Sequence, residues 1–196
     1  MNRREIRITG FGGQGVVLCG YIIGRACSIH ADRHATMIQS FGPEARGSAC
    51  SATLVVSDSE VLYPYIRRPD IFVVMSGEGY EKYHDELKNN GTLIYEKDLV
   101  HPDPGKNQQA FGIPSTRIAE QLGRKIIQNI VMLGFFSAAT GITTREQMRE
   151  AVQASVPGGT EDLNLRAFDA GREYFQNEYD QDGKKRERAG EFTVIA

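Results

Sequence analysis

The feature that most narrows the fold lies at the amino end. Ile6-Arg7-Ile8-Thr9 alternates apolar and polar, runs into Gly10-Phe11-Gly12-Gly13-Gln14-Gly15, and continues as the apolar Val16-Val17-Leu18. Strand, glycine turn and helix in that order make a Rossmann-like start. The turn leaves the first amides of the helix without intrahelical acceptors, and their partial positive charge favours an anion. Glycines keep side chains from holding a phosphate, or a neighbouring loop, away from the backbone. Gly12, Gly13, Gln14 and Gly15 are therefore the first candidate binding residues.

Periodicity organises the rest into alternating strands and helices. The first strand is expected over residues 5–10 and its helix over 15–28, with Leu18, Ile22 and Ala26 as the buried stripe. A second strand is expected at 35–39. Residues 50–57 alternate as a half-buried strand near a sheet edge, whereas Ile71-Phe72-Val73-Val74-Met75 is the unbroken apolar run of a central strand. A helix over 80–87, an Asn89-Asn90-Gly91 turn and a strand at 92–95 follow. Beyond residue 115 the pattern is helical: Ser115 caps a helix to Leu122, Thr143 and Glu146 form a capping box for a helix to Val156, and a last helix runs from Thr160 to Tyr179. The expected fold is α/β, a three-layer α/β/α sandwich with a mostly parallel or mixed sheet and a helical C-terminal part. One domain covers 1–179. A charged tail, 180–196, ends in the apolar Phe192-Thr193-Val194-Ile195, which suits docking on a partner.

Composition removes several function classes. A formal net charge of −2 over 196 residues argues against a general nucleic-acid binder. Met1-Asn2-Arg3-Arg4 leads straight into a strand rather than an apolar signal region. The longest apolar run, Ile126 to Ala139, is interrupted by Gln128 and Asn129 and is too short to cross a membrane. Cys19, Cys27 and Cys50 form no C-x-x-C pair, so neither a disulfide framework, a structural zinc nor an iron–sulfur cluster is expected, and a cytoplasmic, reducing setting fits. His30, His34, His84 and His101 show no metal-ligand spacing, and Ser48, Ser51 and Ser57 have no evident base. No metal site and no catalytic nucleophile are expected.

Taken alone, the glycine string also satisfies the G-x-G-x-x-G fingerprint of a nicotinamide-binding unit. That reading needs an acid at the far end of the second strand to hold the ribose hydroxyls. Asp32 has nearly the right sequence distance but precedes that strand. A second cluster, Ser40-Phe41-Gly42-Pro43-Glu44-Ala45-Arg46-Gly47-Ser48, is rich in turn formers and carries one guanidinium. Arg46 can grip a phosphate or a partner's carboxylate in two-point fashion, or simply pair with Glu44.

Gly12-Gly13-Gln14-Gly15, then Phe41-Gly42-Pro43-Glu44-x-Arg46-Gly47, then a strand ending in Val-Ser-Asp, resembles the gamma subunit of 2-oxoacid:ferredoxin oxidoreductases. The likeness continues through Pro69-Asp70, Gly91-Thr92-Leu93-Ile94-Tyr95, Asn129 to Gly134, and Asn164 through Ala167-Phe168 to Gly171, spanning residues 5–175. The Gly-Pro-Glu-x-Arg-Gly form is most similar to the 2-oxoglutarate or 2-oxoisovalerate branch, with indolepyruvate-type relatives next. Ser48 departs from the pattern, standing where the family usually carries a second glycine.

The resemblance implies a subunit of a complex that converts a 2-oxoacid and coenzyme A to an acyl-CoA, carbon dioxide and reduced ferredoxin. It places thiamine diphosphate, magnesium and [4Fe-4S] clusters on alpha, beta and ferredoxin-like delta partners, with ferredoxin as acceptor. This chain would contribute packing and coenzyme A access through Gly12, Gly13, Gln14, Gly15, Arg46, Gly47 and Ser48. A nicotinamide-dependent oxidoreductase and a purely structural subunit are the alternatives.

Overall fold

Alternation in the first strand becomes a two-faced sheet. In the computed structural model, which describes residues 3–41, 49–179 and 183–186, β1 (Arg3–Phe11) turns Ile6 and Ile8 into the larger hydrophobic core. Arg7 points to the opposite face. There its guanidinium lies 4.2 Å from the centre of the Tyr83 ring and 2.7 Å from a carboxylate oxygen of Glu86. Successive strand side chains project to opposite faces, so this short alternation already commits the sheet to two covering layers.

The other strands are β2 (His34–Phe41), β3 (Ala49–Ser57), β4 (Ile71–Val74), β5 (Thr92–Glu96) and β6 (Gln109–Ile113). They lie in the order β2-β3-β1-β4-β5-β6. β1, β4, β5 and β6 run parallel, while β3 is antiparallel to both β1 and β2. The sheet is therefore mixed, as the sequence allowed. β3 lies near the sheet edge as expected, second from it, but it is not half-buried: Ala52, Leu54, Val55 and Val56 are all fully buried. Helices pack on both of its faces, so its alternation reflects small polar residues among apolar ones rather than an exposed side.

The helices are α1 (Val16–Arg25), α2 (Gly77–Tyr83), α3 (Ser115–Gln121), α4 (Gln128–Thr140), α5 (Arg145–Gln153) and α6 (Glu161–Glu178). α1 continues through a wider π turn over Ala26–His30, which accounts for the longer helix expected from sequence. α1, α4, α5 and α6 cover one face of the sheet, and α2 with Tyr80 and Leu87 covers the other. Two caps differ from expectation. The capping box of α5 uses Thr144 and Gln147, one residue beyond Thr143 and Glu146. Ser115 begins α3 but does not cap it; its hydroxyl donates to the buried carboxylate of Glu96, which also accepts from the Thr116 amide at 2.9 Å. A carboxylate from β5 thus meets the bare amides of α3, where the helix dipole favours it.

α4 is apolar almost all round because it is enclosed, with ten consecutive buried residues from Gln128 to Ser137. It crosses α6 at two glycines. A methyl group on Gly134 would lie 1.9 Å from the Phe168 carbonyl oxygen, and one on Gly171 would lie 2.0 Å from that of Val131. Below the crossing, Phe111, Phe135, Phe175 and Tyr179 pack edge to face at 5.1–5.4 Å. Residues 183–186 fold back on this end, with the Arg186 guanidinium donating to the Tyr179 carbonyl. The apolar residues 192–195 lie outside the described part of the chain. Among the described residues no helix is long and apolar enough to cross a membrane.

Candidate functional site at the carboxyl end of β1

α1 follows β1 onto one face of the sheet, whereas α2 follows β4 onto the other. The carboxyl ends of these neighbouring parallel strands therefore open a crevice where the chain changes sides, the usual ligand position in open α/β sheets. The glycine turn occupies it. Gly13 has φ +99° with nothing within 4 Å of where a methyl would project, and Gly15, the N-cap of α1, has φ +77°. Both conformations disfavour a side chain. Gly15 supplies no side-chain cap, so the leading amides of α1 are not capped from that position.

The Gln14 side chain bonds within the chain. Its carbonyl oxygen accepts from the Phe11 amide at 2.7 Å and its amide nitrogen donates to the Met75 carbonyl at 3.0 Å. Neither a phosphate nor a partner backbone is needed to satisfy it. It ties the end of β1 to the residue following β4 and so fixes the shape of the turn. Gly10 makes room for this brace, since a methyl there would meet the Gln14 oxygen at 2.6 Å.

Arg46, Gly47 and Ser48 lie outside the described residues. Their flanking strand ends are defined, however: Phe41 pairs with Cys50, which pairs with Gly10, and Ala49 pairs with Phe11. The strand ends at Phe41 and Ala49 thus lie at the same end of the sheet as the glycine turn.

Sequence reasoning missed the wall opposite the glycines. A cavity of about 370 Å³ begins at Gly13 and Gly15 and continues between Leu18, Ile130 and Leu163, with Ile126 and Arg124 at its margin. Ile126 is 72% exposed, unusual for isoleucine, and the Arg124 guanidinium has no partner among the described residues. Asn129 and Asn164 line it too. Asn129 stands so close to Gly15 that a methyl there would lie 2.3 Å from its amide nitrogen, and Asn164 donates to the Thr160 carbonyl at 2.9 Å. A basic pair followed by an apolar pair, Arg124-Lys125-Ile126-Ile127, was the available signal after Gly123. Only folding brings it beside a turn more than a hundred residues earlier.

The thiols do not contribute chemistry. Burial pushes Cys19 up to about 12 and Cys27 to about 11, and raises Cys50 as well. Such groups stay protonated and unreactive near neutrality. No group of His, Cys, Asp and Glu among the described residues is arranged to hold a metal ion.

The order of the sheet also bears on the dinucleotide alternative. Asp32 sits in a turn with φ +49° before β2, and β2 is separated from β1 by the antiparallel β3. A nicotinamide-binding unit places its ribose-binding acid at the end of the second strand, parallel to and directly beside the first, whereas here the second strand is not beside β1 and Asp32 precedes it.

The family model for pyruvate ferredoxin/flavodoxin oxidoreductase matches residues 5–174. The chain belongs to this family. It is 44% identical to the 2-oxoglutarate synthase subunit KorC of Methanocaldococcus jannaschii, covering 87% of this chain and 93% of that protein. It is 46% identical to KorC of Methanothermobacter marburgensis, covering 87% and 96%. Among solved structures, the keto/oxoacid ferredoxin oxidoreductase gamma subunit from Geobacter sulfurreducens superimposes with a TM-score of 0.79 at 36% identity, covering 88% of this chain and 96% of that one. The 2-oxoglutarate:ferredoxin oxidoreductase from Magnetococcus marinus, solved with 2-oxoglutarate, coenzyme A and succinyl-CoA bound, shares the fold (TM-score 0.80, 23% identity, 88% of this chain and 31% of that one). The family-member chain thus carries the α/β architecture expected from its motifs, with a glycine turn at the switch point of the sheet.

Proposed function

We propose that the chain is the gamma-type subunit of a 2-oxoglutarate:ferredoxin oxidoreductase, in which 2-oxoglutarate, coenzyme A and oxidised ferredoxin give succinyl-CoA, carbon dioxide and reduced ferredoxin. Its near-complete overlap with KorC subunits supports that assignment. Thiamine diphosphate, magnesium and [4Fe-4S] clusters belong to the alpha, beta and delta partners, and the assembly is cytoplasmic. Among the described residues no group of His, Cys, Asp and Glu is arranged to hold a metal ion, and the part proposed for the chain is binding and positioning.

Coenzyme A is the ligand whose chemistry fits the site. The single observation that carries this reading is the open glycine turn lying directly against an apolar groove, with a guanidinium at its margin that has no partner among the described residues. Amides of Gly12, Gly13 and Gly15 suit the pyrophosphate, with Arg124 and, as the family motif implies, Arg46, Gly47 and Ser48 supplying further donors. Leu18, Ile130 and Leu163 suit the pantetheine chain. Gln14 acts indirectly by holding the turn open.

The test is steady-state kinetics of the assembled complex. Replacing Arg46 or Arg124 by alanine is expected to raise the KM for coenzyme A about tenfold, the loss of one charge-assisted contact of roughly 1.4 kcal/mol. The KM for 2-oxoglutarate should not move. A scaffold-only subunit is the second reading, favoured by the internal bonding of Gln14. Unchanged coenzyme A kinetics in both variants would establish it.

A further inference from the structure

The opposite end of the sheet carries a surface that the site at the glycine turn does not explain. The crossover from β3 to β4 exposes Leu62 (84%), Tyr63 (58%) and Tyr65 (61%) in close succession, followed directly by Arg67 and Arg68. Tyr63, Tyr65, Arg67 and Arg68 border a shallow hollow beside the start of β1. The segment is not loose: the Arg3 guanidinium donates to the Tyr63 carbonyl at 3.1 Å, and the two tyrosine rings pack at 5.5 Å, tilted by 55°.

Charge on this surface is unbalanced. Arg3 is paired with Glu5 at 3.0 Å and Lys88 with Asp70 at 2.8 Å, which neutralises both. Arg67 and Arg68 are exposed and have no partner among the described residues. Two free guanidiniums beside three exposed apolar side chains contrast with a chain whose formal net charge is −2. Tyrosine and arginine are the residues that most often carry the energy of a protein interface, and an open hollow suits a protein face better than an enclosed small molecule. The rings already touch, so no planar base fits between them.

We infer that the 62–68 crossover is a docking surface for an acidic face of a companion subunit in the same complex, with Leu62, Tyr63 and Tyr65 as the apolar anchor and Arg67 and Arg68 meeting carboxylates. The inference rests on the subunit reading above. It also follows the geometry of the sheet. β1 rises about 3.3 Å per residue, so its start, at this surface, is roughly 26 Å from the glycine turn at its end. A partner held here leaves the coenzyme A site open.

The experiment measures association of the full-length chain with its purified companion subunits across a salt series. R67E/R68E should weaken binding at least about tenfold at low salt, with the difference shrinking as salt screens the charges. Y63A/Y65A should weaken it by about tenfold at every salt concentration. Circular dichroism melting of each variant monitors the fold, and R67K/R68K, which keeps the charge, should retain most of the affinity. Wild-type affinity in both the charge-reversed and tyrosine variants overturns the docking surface while leaving the subunit reading intact. Failure of the wild-type chain to associate overturns both. Saturable binding of ADP that is lost in Y63A/Y65A would replace the protein partner by a nucleotide.

Discussion

Two pairs of glycines in this chain do opposite jobs. Gly13 and Gly15 adopt positive φ at the mouth of a crevice, and beyond Gly13 there is open space. Gly134 and Gly171 are helical and have no space at all, since each is pressed against a carbonyl of the facing helix. The first pair is needed for what the backbone must expose, the second for how closely two backbones must approach. A glycine in a sequence motif therefore does not by itself announce a ligand. Conformation and surroundings decide which kind it is.

Substitution by alanine should separate the pairs sharply. The largest effect is expected for Gly171→Ala or Gly134→Ala, where the facing backbone must move apart. The cost is about 3 kcal/mol or more, a fall in melting temperature of roughly 10 °C, read by calorimetry. Gly15→Ala combines the left-handed conformation with a clash against Asn129, and should cost about 2 kcal/mol. If it proved as stable as wild type, the positive φ at the N-cap of α1 would be wrong and the contrast would weaken.

Gln14→Ala comes next. It removes two hydrogen bonds that join the ends of β1 and β4, for about 1–2 kcal/mol in denaturant titration. Because the turn then loses its brace, the KM for coenzyme A in the complex should rise as well. Gly13→Ala should cost only about 1 kcal/mol, since nothing obstructs the methyl group. Its signature is functional: the methyl projects where the phosphate would sit, so coenzyme A affinity should fall several-fold while stability barely changes. The smallest effect concerns the thiols. Iodoacetamide at pH 8 should leave Cys19 and Cys27 unmodified in the folded chain, because burial keeps both protonated well above that pH. Peptide mass mapping before and after denaturation checks this.

Much of the fold was legible because the relevant signals are local. The strand–glycine–helix start, the unbroken run at 71–75 and the helical C-terminal part each follow from spacing within a dozen residues. β6 was not legible: Gln-Ala-Phe-Gly-Ile has neither alternation nor length, and becomes a strand by pairing with β5 and through the Tyr179 hydroxyl, which accepts from the Gly112 amide. The cap of α3 was misassigned for a similar reason, because its carboxylate comes from Glu96, nineteen residues earlier. In the site, the glycine turn was readable, yet the role of Gln14 and the presence of Arg124 and Ile126 were not.

By itself, then, the sequence determined the class of fold, the family, and the glycine turn that ends the first strand, since each resides in contiguous residues whose conformational preferences act without distant help. Tertiary structure alone decided which donors stay open, which side chain closes on its own backbone, and which apolar groove lies alongside. Those outcomes depend on segments over a hundred positions apart meeting across one sheet, and short-range preference carries no record of that meeting.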